Sequence, residues 1–285
     1  TAKIADLVVI QDNSVADGAM ANTLRMRVTD AFGNTLGGQT VSVTADNSAM
    51  VAPTAITGPD GTVEISVTSQ TAGISTVTAS INNSSLSRDV TFVADVRTAQ
   101  IADLVVIKDG SEADGSTANT LRARVTDAFG NALAGQTVSV LADNGATTAP
   151  TVITEPDGTV EISVTSQTAG VSTVTASINS SSLSRNVTFV ADVRTAQIAV
   201  LEVTQDYAVA DGSTANTLRA RVTDAFGNTL AGQTVSVTAG NGATVAPTAI
   251  TGPDGTVEIS VTSQTAGIST VTATINSSSQ SRDVT

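Results

Sequence analysis

Asn22-Thr23-Leu24-Arg25-Met26-Arg27-Val28-Thr29-Asp30 sets Leu24, Met26 and Val28 at every second position, with Arg25, Arg27 and Thr29 between them. A period of two belongs to a strand, so one face of this segment is buried and the other is wet. Ala31-Phe32-Gly33-Asn34 follows it with turn chemistry. Outward from there the pattern repeats. Residues 40–45 turn Val41 and Val43 inward, residues 62–69 turn Val63, Ile65 and Val67, and residues 74–81 turn Val77, Ala79 and Ile81. Val90 and Phe92 continue the theme, an opening strand carries Ile4, Leu7 and Val9, and a weaker strand lies near residues 54–57. Pro59-Asp60-Gly61, Ala72-Gly73 and Asn82-Asn83-Ser84 punctuate them. About seven short antiparallel strands in under a hundred residues, with no helical spacing of adequate length, predict an immunoglobulin-like β-sandwich.

The unit occurs three times. Ala16-Asp17-Gly18 returns as Ala113-Asp114-Gly115 and Ala210-Asp211-Gly212, a period of 97 residues. The domains expected are residues 1–97, 98–194 and 195–285, so the fold class is all-β: three tandem immunoglobulin-like antiparallel β-sandwiches in an extended rod. The copies test the alternation, because Val8 and Val105 become Glu202 and must face water, whereas Leu7, Leu104 and Leu201 stay leucine and point inward. The connector, residues 94–99, holds no Gly or Pro and limits bending. Strands of about nine residues at roughly 3.3 Å each give about 40 Å per unit and connector, and a rod of about 120 Å. The third copy has no counterpart of Phe92-Val93-Ala94 and is expected to be the least stable.

Composition excludes most chemistry. The 285 residues include no His, Cys or Trp and a single Tyr, which removes the usual nucleophilic, imidazole and thiolate-metal sites. An enzyme is not expected, nor any cofactor. A net charge of -13 is the wrong sign for neutralising phosphates, so nucleic acid is not an expected partner. No apolar run approaches the roughly 18 residues that cross a bilayer, so this segment is not expected to insert into a membrane. It is expected to be monomeric.

Val28-Thr29-Asp30-Ala31-Phe32-Gly33-Asn34, then Leu36-Gly37-Gly38-Gln39-Thr40-Val41-Ser42-Val43, Asp60-Gly61-Thr62-Val63 and Val67-Thr68-Ser69-Gln70-Thr71-Ala72-Gly73 form an ordered set of blocks. Together they resemble the bacterial immunoglobulin-like group 1 domain of the invasin and intimin adhesins, over essentially the whole chain. The resemblance implies an extracellular rod on the bacterial cell surface, anchored through an outer-membrane β-barrel and ending in a lectin-like tip. That tip carries a disulfide in the family, and this sequence has no cysteine. The function implied is a stalk that projects a distal binding tip from the outer membrane. The alternative is that the units themselves bind a host-cell surface protein, through loops or a strand edge such as that of Val8 and Val105. Homotypic association between neighbouring rods is a third option.

Candidate sites are few. Asp60 and Glu64 form a carboxylate pair, but one sits in a turn and the other on an outward strand face. Calcium at the junctions would draw on Asp95, Asp103 and Asp192, beside the loops of Asp12 to Asp17 and Asp46 and the turn Glu155-Pro156-Asp157. These acids read better as solvated turns that cap local backbone, so no metal is expected. A Lys-Asn isopeptide fails, since Lys3 and Lys108 occupy non-equivalent positions. Aromatic faces for carbohydrate are scarce once Phe32, Phe129 and Phe226 take structural roles. Tyr207, replacing Asn13 and Gly110, reads as a loop variant, and no ligand-binding residue can be named.

Overall fold

The computed structural model describes residues 1–285. The first unit has nine strands: β1 (Lys3–Gln11), β2 (Ser14–Val15), β3 (Asn22–Thr29), β4 (Thr40–Ala45), β5 (Met50–Val51), β6 (Thr54–Ile56), β7 (Thr62–Thr68), β8 (Gly73–Ile81) and β9 (Ser84–Val93). They form a four-stranded sheet in the order β1-β3-β7-β5 and a five-stranded sheet in the order β2-β9-β8-β4-β6. The second unit repeats both sheets, and the third repeats the first sheet but has only four strands in the second. The protein is therefore all-β, three immunoglobulin-like sandwiches in tandem.

Alternation builds each sandwich. Leu24, Met26 and Val28 of β3 are wholly buried, while Arg25 and Arg27 are exposed. The register with β7 sets Leu24 beside Ile65 on the core face and Arg25 beside Glu64 on the wet face. In β1, Ile4 and Leu7 are an odd number of residues apart yet both are buried. The irregularity between Ile4 and Asp6 resolves this, because one extra residue flips the side chains that follow it. The β8–β9 hairpin closes over Asn82 and Asn83, with Asn82 at φ 50, a left-handed position that Asn tolerates.

Inward faces make three separate cores, each aliphatic, with Phe92 and Phe189 the only aromatic side chains among their buried members. Leu24, Val28, Val43, Ile65, Val67 and Val77 are buried as their alternation requires, and Glu64 is exposed. Val63 is only half-buried, near the open end of its strand. Phe32 is 92% exposed and Phe129 and Phe226 about half so, which removes them from the core. Two strands in each of the first two units, and one in the third, escape the periodicity because they are two residues long; β2 exists only through parallel pairing of Ser14 and Val15 with Phe92 and Val93. Asn22 ties that region together: its side chain accepts from the Ser14 N–H at 3.0 Å and donates to the Thr91 carbonyl at 2.8 Å. No helix is long and apolar enough to cross a membrane.

Candidate functional site at the unit junctions

Residues 94–99 join the first unit to the second, and Val96–Thr98 forms one 3-10 turn. Asp95 caps it. Its carboxylate accepts the Arg97 N–H at 3.0 Å and the Arg97 Nε–H at 2.9 Å. The guanidinium beside it holds the Asp95 carboxyl below the usual carboxylate range. Ala94 and Ala99 pack into the core of the second unit, so the connector is anchored in the unit that follows it.

Asp127-Ala128-Phe129-Gly130-Asn131 receives this connector. The Asp127 carboxylate is wholly buried and accepts the N–H groups of Phe129 and Asn131 at 2.9 Å each and the Asn131 Nδ2–H at 2.8 Å. Its second oxygen accepts the Asp95 N–H at 3.2 Å. Four donors on one buried carboxylate satisfy the charge that burial would otherwise penalise. Asn131 then reaches across the junction. Its Nδ2 donates to the Gln70 carbonyl at 2.9 Å, and its Oδ1 accepts from the Ala72 N–H at 2.8 Å. The Ala128 N–H donates to Thr98 Oγ1 at 3.2 Å. Each such bond is worth about 1 kcal/mol net, and together they fix direction as well as distance.

The second junction is the same device. Asn228 donates to the Gln167 carbonyl at 2.9 Å and accepts from the Ala169 N–H at 2.8 Å, and the Asp192 N–H donates to Asp224 at 3.2 Å. Arg194 there pairs with Asp192 and also with Glu112, where the first unit has Val15. The matching loop of the first unit, Asp30 to Asn34, is largely exposed in this chain. Asp30 still accepts from the N–H groups of Phe32 and Asn34 and from the Asn34 side chain, which depress its carboxyl, the Asn34 side chain most. The carboxylate bonds thus come from the loop's own residues, whereas the Thr126 hydroxyl donates to the Asp127 carbonyl at 3.0 Å and the equivalent Thr29 hydroxyl is buried without a partner.

The other acids stay apart. Asp60 accepts from the Thr62 N–H at 3.0 Å and the Thr62 hydroxyl at 2.8 Å, and these bonds lower its carboxyl, while Glu64 faces outward. Asp95 and Asp192 are engaged by Arg97 and Arg194, and Asp103 is exposed and caps the Leu104 N–H. No three acids are placed to hold one metal ion. The junction residues Asp127, Asn131, Gln70 and Ala72 were not picked out by the sequence reading. Their available signal was the identity of Asp-Ala-Phe-Gly-Asn and Ser-Gln-Thr-Ala-Gly in all three copies, which turn chemistry alone does not demand.

The family model for the bacterial Ig-like domain (group 1) matches residues 4–93, 101–190 and 198–285. The chain belongs to this family. Among curated proteins, the inverse autotransporter adhesin YeeJ of Escherichia coli (strain K12) is 34% identical over 247 residues, covering 82% of this chain. The chain spans only 10% of that relative. Among solved structures, invasin, described as a bacterial integrin-binding protein, matches at 26% identity and a TM-score of 0.52, over 100% of this chain and 59% of its own. The Escherichia coli adhesin FdeC shares the fold at 18% identity and a TM-score of 0.61, over 99% of this chain and 96% of its own. The sequence resemblance to invasin-type tandem repeats is therefore borne out, and these group 1 Ig-like relatives are adhesins.

Proposed function

We propose that this chain is a stalk segment of an extracellular bacterial surface adhesin, three units of residues 1–97, 98–194 and 195–285 that space a distal binding tip from the outer membrane. The observation that carries the reading is the clasp at each junction, repeated atom for atom 97 residues on. A spacer must transmit orientation, and a bidentate Asn with a buried, four-fold satisfied Asp resists both bending and twisting. Near-identical copies add length without adding a new surface. The adhesin relatives support the setting, since an inverse autotransporter adhesin is a surface protein many times longer than this segment. The reading assigns the chain no catalytic residue, cofactor or metal, and a monomeric state.

A second reading gives the units themselves a host protein to bind. It is favoured by β1, an edge strand that exposes Val8 and Ile10 in the first unit, as Val105 and Ile107 are exposed in the second. The irregularities in that strand disfavour pairing with another edge. Binding of the fluorescently labelled chain, and of single units, to host cells separates the two. The spacer reading requires none; saturable binding by one unit establishes the second.

A further inference from the structure

Asn is followed by Gly at two places in the chain, Asn144-Gly145 and Asn241-Gly242, and the equivalent pair in the first unit is Asn47-Ser48. Each pair forms the centre of a tight turn. The N–H of Ala49, Ala146 or Ala243 closes it on the carbonyl of Asp46, Asp143 or Gly240 at 2.9 to 3.0 Å. Both central residues are left-handed in every copy, at φ 49 and 60, 52 and 71, and 52 and 68. All six are exposed. The side-chain nitrogens of Asn47, Asn144 and Asn241 lie in the same way against Gly73, Gly170 and Gly267, at 3.3 to 3.4 Å from where a Cβ would stand. The three Asn thus share conformation, exposure and neighbour, and differ in the residue that follows.

That difference is chemical. The Cγ of an Asn side chain is an electrophile, and the backbone nitrogen of the next residue reaches it by closing a five-membered ring. The Gly145 and Gly242 N–H groups donate to no backbone carbonyl, so each nitrogen is uncommitted. A Cβ on the attacking residue crowds the approach, as at Ser48, and glycine leaves it open.

We propose that Asn144 and Asn241 are sites of spontaneous covalent modification, deamidation through a cyclic imide, and that Asn47 is spared. The Gly nitrogen gives its proton to a solvent base and bonds to the Asn Cγ, the Cγ–Nδ2 bond breaks, and ammonia leaves. Water then adds to one of the two imide carbonyls, and the ring opens to aspartate or, with an extra methylene in the main chain, to isoaspartate. The change falls beside the second junction. Gly170, against which Asn144 lies, adjoins Ala169, whose N–H is bound with the Gln167 carbonyl by Asn228. It adds a negative charge next to Asp143, whose carboxylate accepts the Thr173 N–H at 2.6 Å. The first clasp, on Gln70 and Ala72 beside Gly73, has Asn47 as its neighbour and keeps its amide. Two junctions with the same bonds therefore differ in how they age.

The full chain is incubated in mildly alkaline buffer beside the peptide acetyl-Asp-Asn-Gly-Ala-amide, and each Asn is followed by mass spectrometry of the fragments that contain it. Asn144 and Asn241 should convert to a mixture of aspartate and isoaspartate at least about tenfold faster than Asn47, the glycine being what opens the approach. Two exchanges should move the reaction. Ser48→Gly should bring Asn47 to the rate of the other two, and Gly242→Ser should bring Asn241 down to the rate of Asn47. Both keep the turn, since Ser48 already stands at φ 60 and a Cβ at Gly242 meets nothing within 4 Å. Asn144 and Asn241 intact when the peptide has converted, equal rates at all three Asn, or rates unmoved by the two exchanges would each overturn the proposal.

Discussion

The second unit and its neighbours share nearly one sequence but not one environment. At its head, Asp127 and Asn131 are docked on the first unit; at its tail, Phe189 fills its seat and Asn228 of the third unit closes over it. The first unit has the same loop, undocked, with Phe32 almost bare where Phe129 is half covered. The bonds to the loop's carboxylate are the same at Asp30 and Asp127, so that part of its shape is a local property and its burial is a property of the neighbour. A preformed loop pays little ordering entropy when it docks, which makes a stiff junction from a small contact.

The largest effect expected is at the tail of a unit. A buried Phe truncated within an intact core costs about 3 to 5 kcal/mol, against a typical total of 5 to 15 kcal/mol, and Phe189 is 1% exposed. Phe189→Ala should therefore make residues 98–194 the first to open in hydrogen exchange, whereas Phe32→Ala, at a position 92% exposed, should change the protection of the first unit by no more than about 0.5 kcal/mol. Equal losses would place Phe189 outside the core.

Next comes the junction carboxylate. Asp127→Ala leaves three backbone N–H donors, those of Asp95, Phe129 and Asn131, without their acceptor. At about 1 to 3 kcal/mol for a buried unpaired group, it should lower the melting temperature of a chain of the first two units by several degrees. Asp30→Ala, in an exposed loop, should lower it clearly less. Equal effects would mean that docking adds nothing to the loop.

The comparison also explains what could be read in the sequence. β3 was legible because one of its faces lies on the core, and burial imposes a period of two on it. The junction loop was legible as a turn, since Asp30, Gly33 and Asn34 are local turn chemistry, but its partner was not. Which loops meet at an end of a sandwich depends on strand order, and the Gln70 loop is 61 residues from Asn131 along the chain. Phe32 misleads for the same reason: an aromatic suggests core, and only the topology places it on an outer corner. β2 was invisible because two residues carry no period, and the strand exists only where Phe92 and Val93 come beside it.

A smaller effect is expected from acid. The Asp95 carboxyl is depressed in the folded chain, chiefly by Arg97, so it binds protons less readily folded than unfolded. Its contribution is full above the ordinary carboxylate value near 3.8 and is lost as pH falls below that through the depressed value. Melting of the chain between pH 5 and pH 2 should fall less steeply in Arg97→Gln than in the natural sequence; parallel curves would remove Arg97 from the junction. Calcium belongs at the small end as well. EDTA should leave the melting temperature within about 1 °C, and a drop of more than about 5 °C, about what 1 kcal/mol gives in a small domain, would make Asp95, Asp103 and Asp192 metal ligands.

The central claim, that clasped junctions make a rigid spacer, is tested most directly by small-angle X-ray scattering of the natural chain beside the double variant Asn131→Ala, Asn228→Ala. The natural chain should show a maximum dimension of about 120 Å, from strand length and rise, and the variant a broadened, shorter distance distribution with each unit still folded. A natural chain with a maximum dimension near about 70 Å, or a variant whose distribution is unchanged, would contradict it.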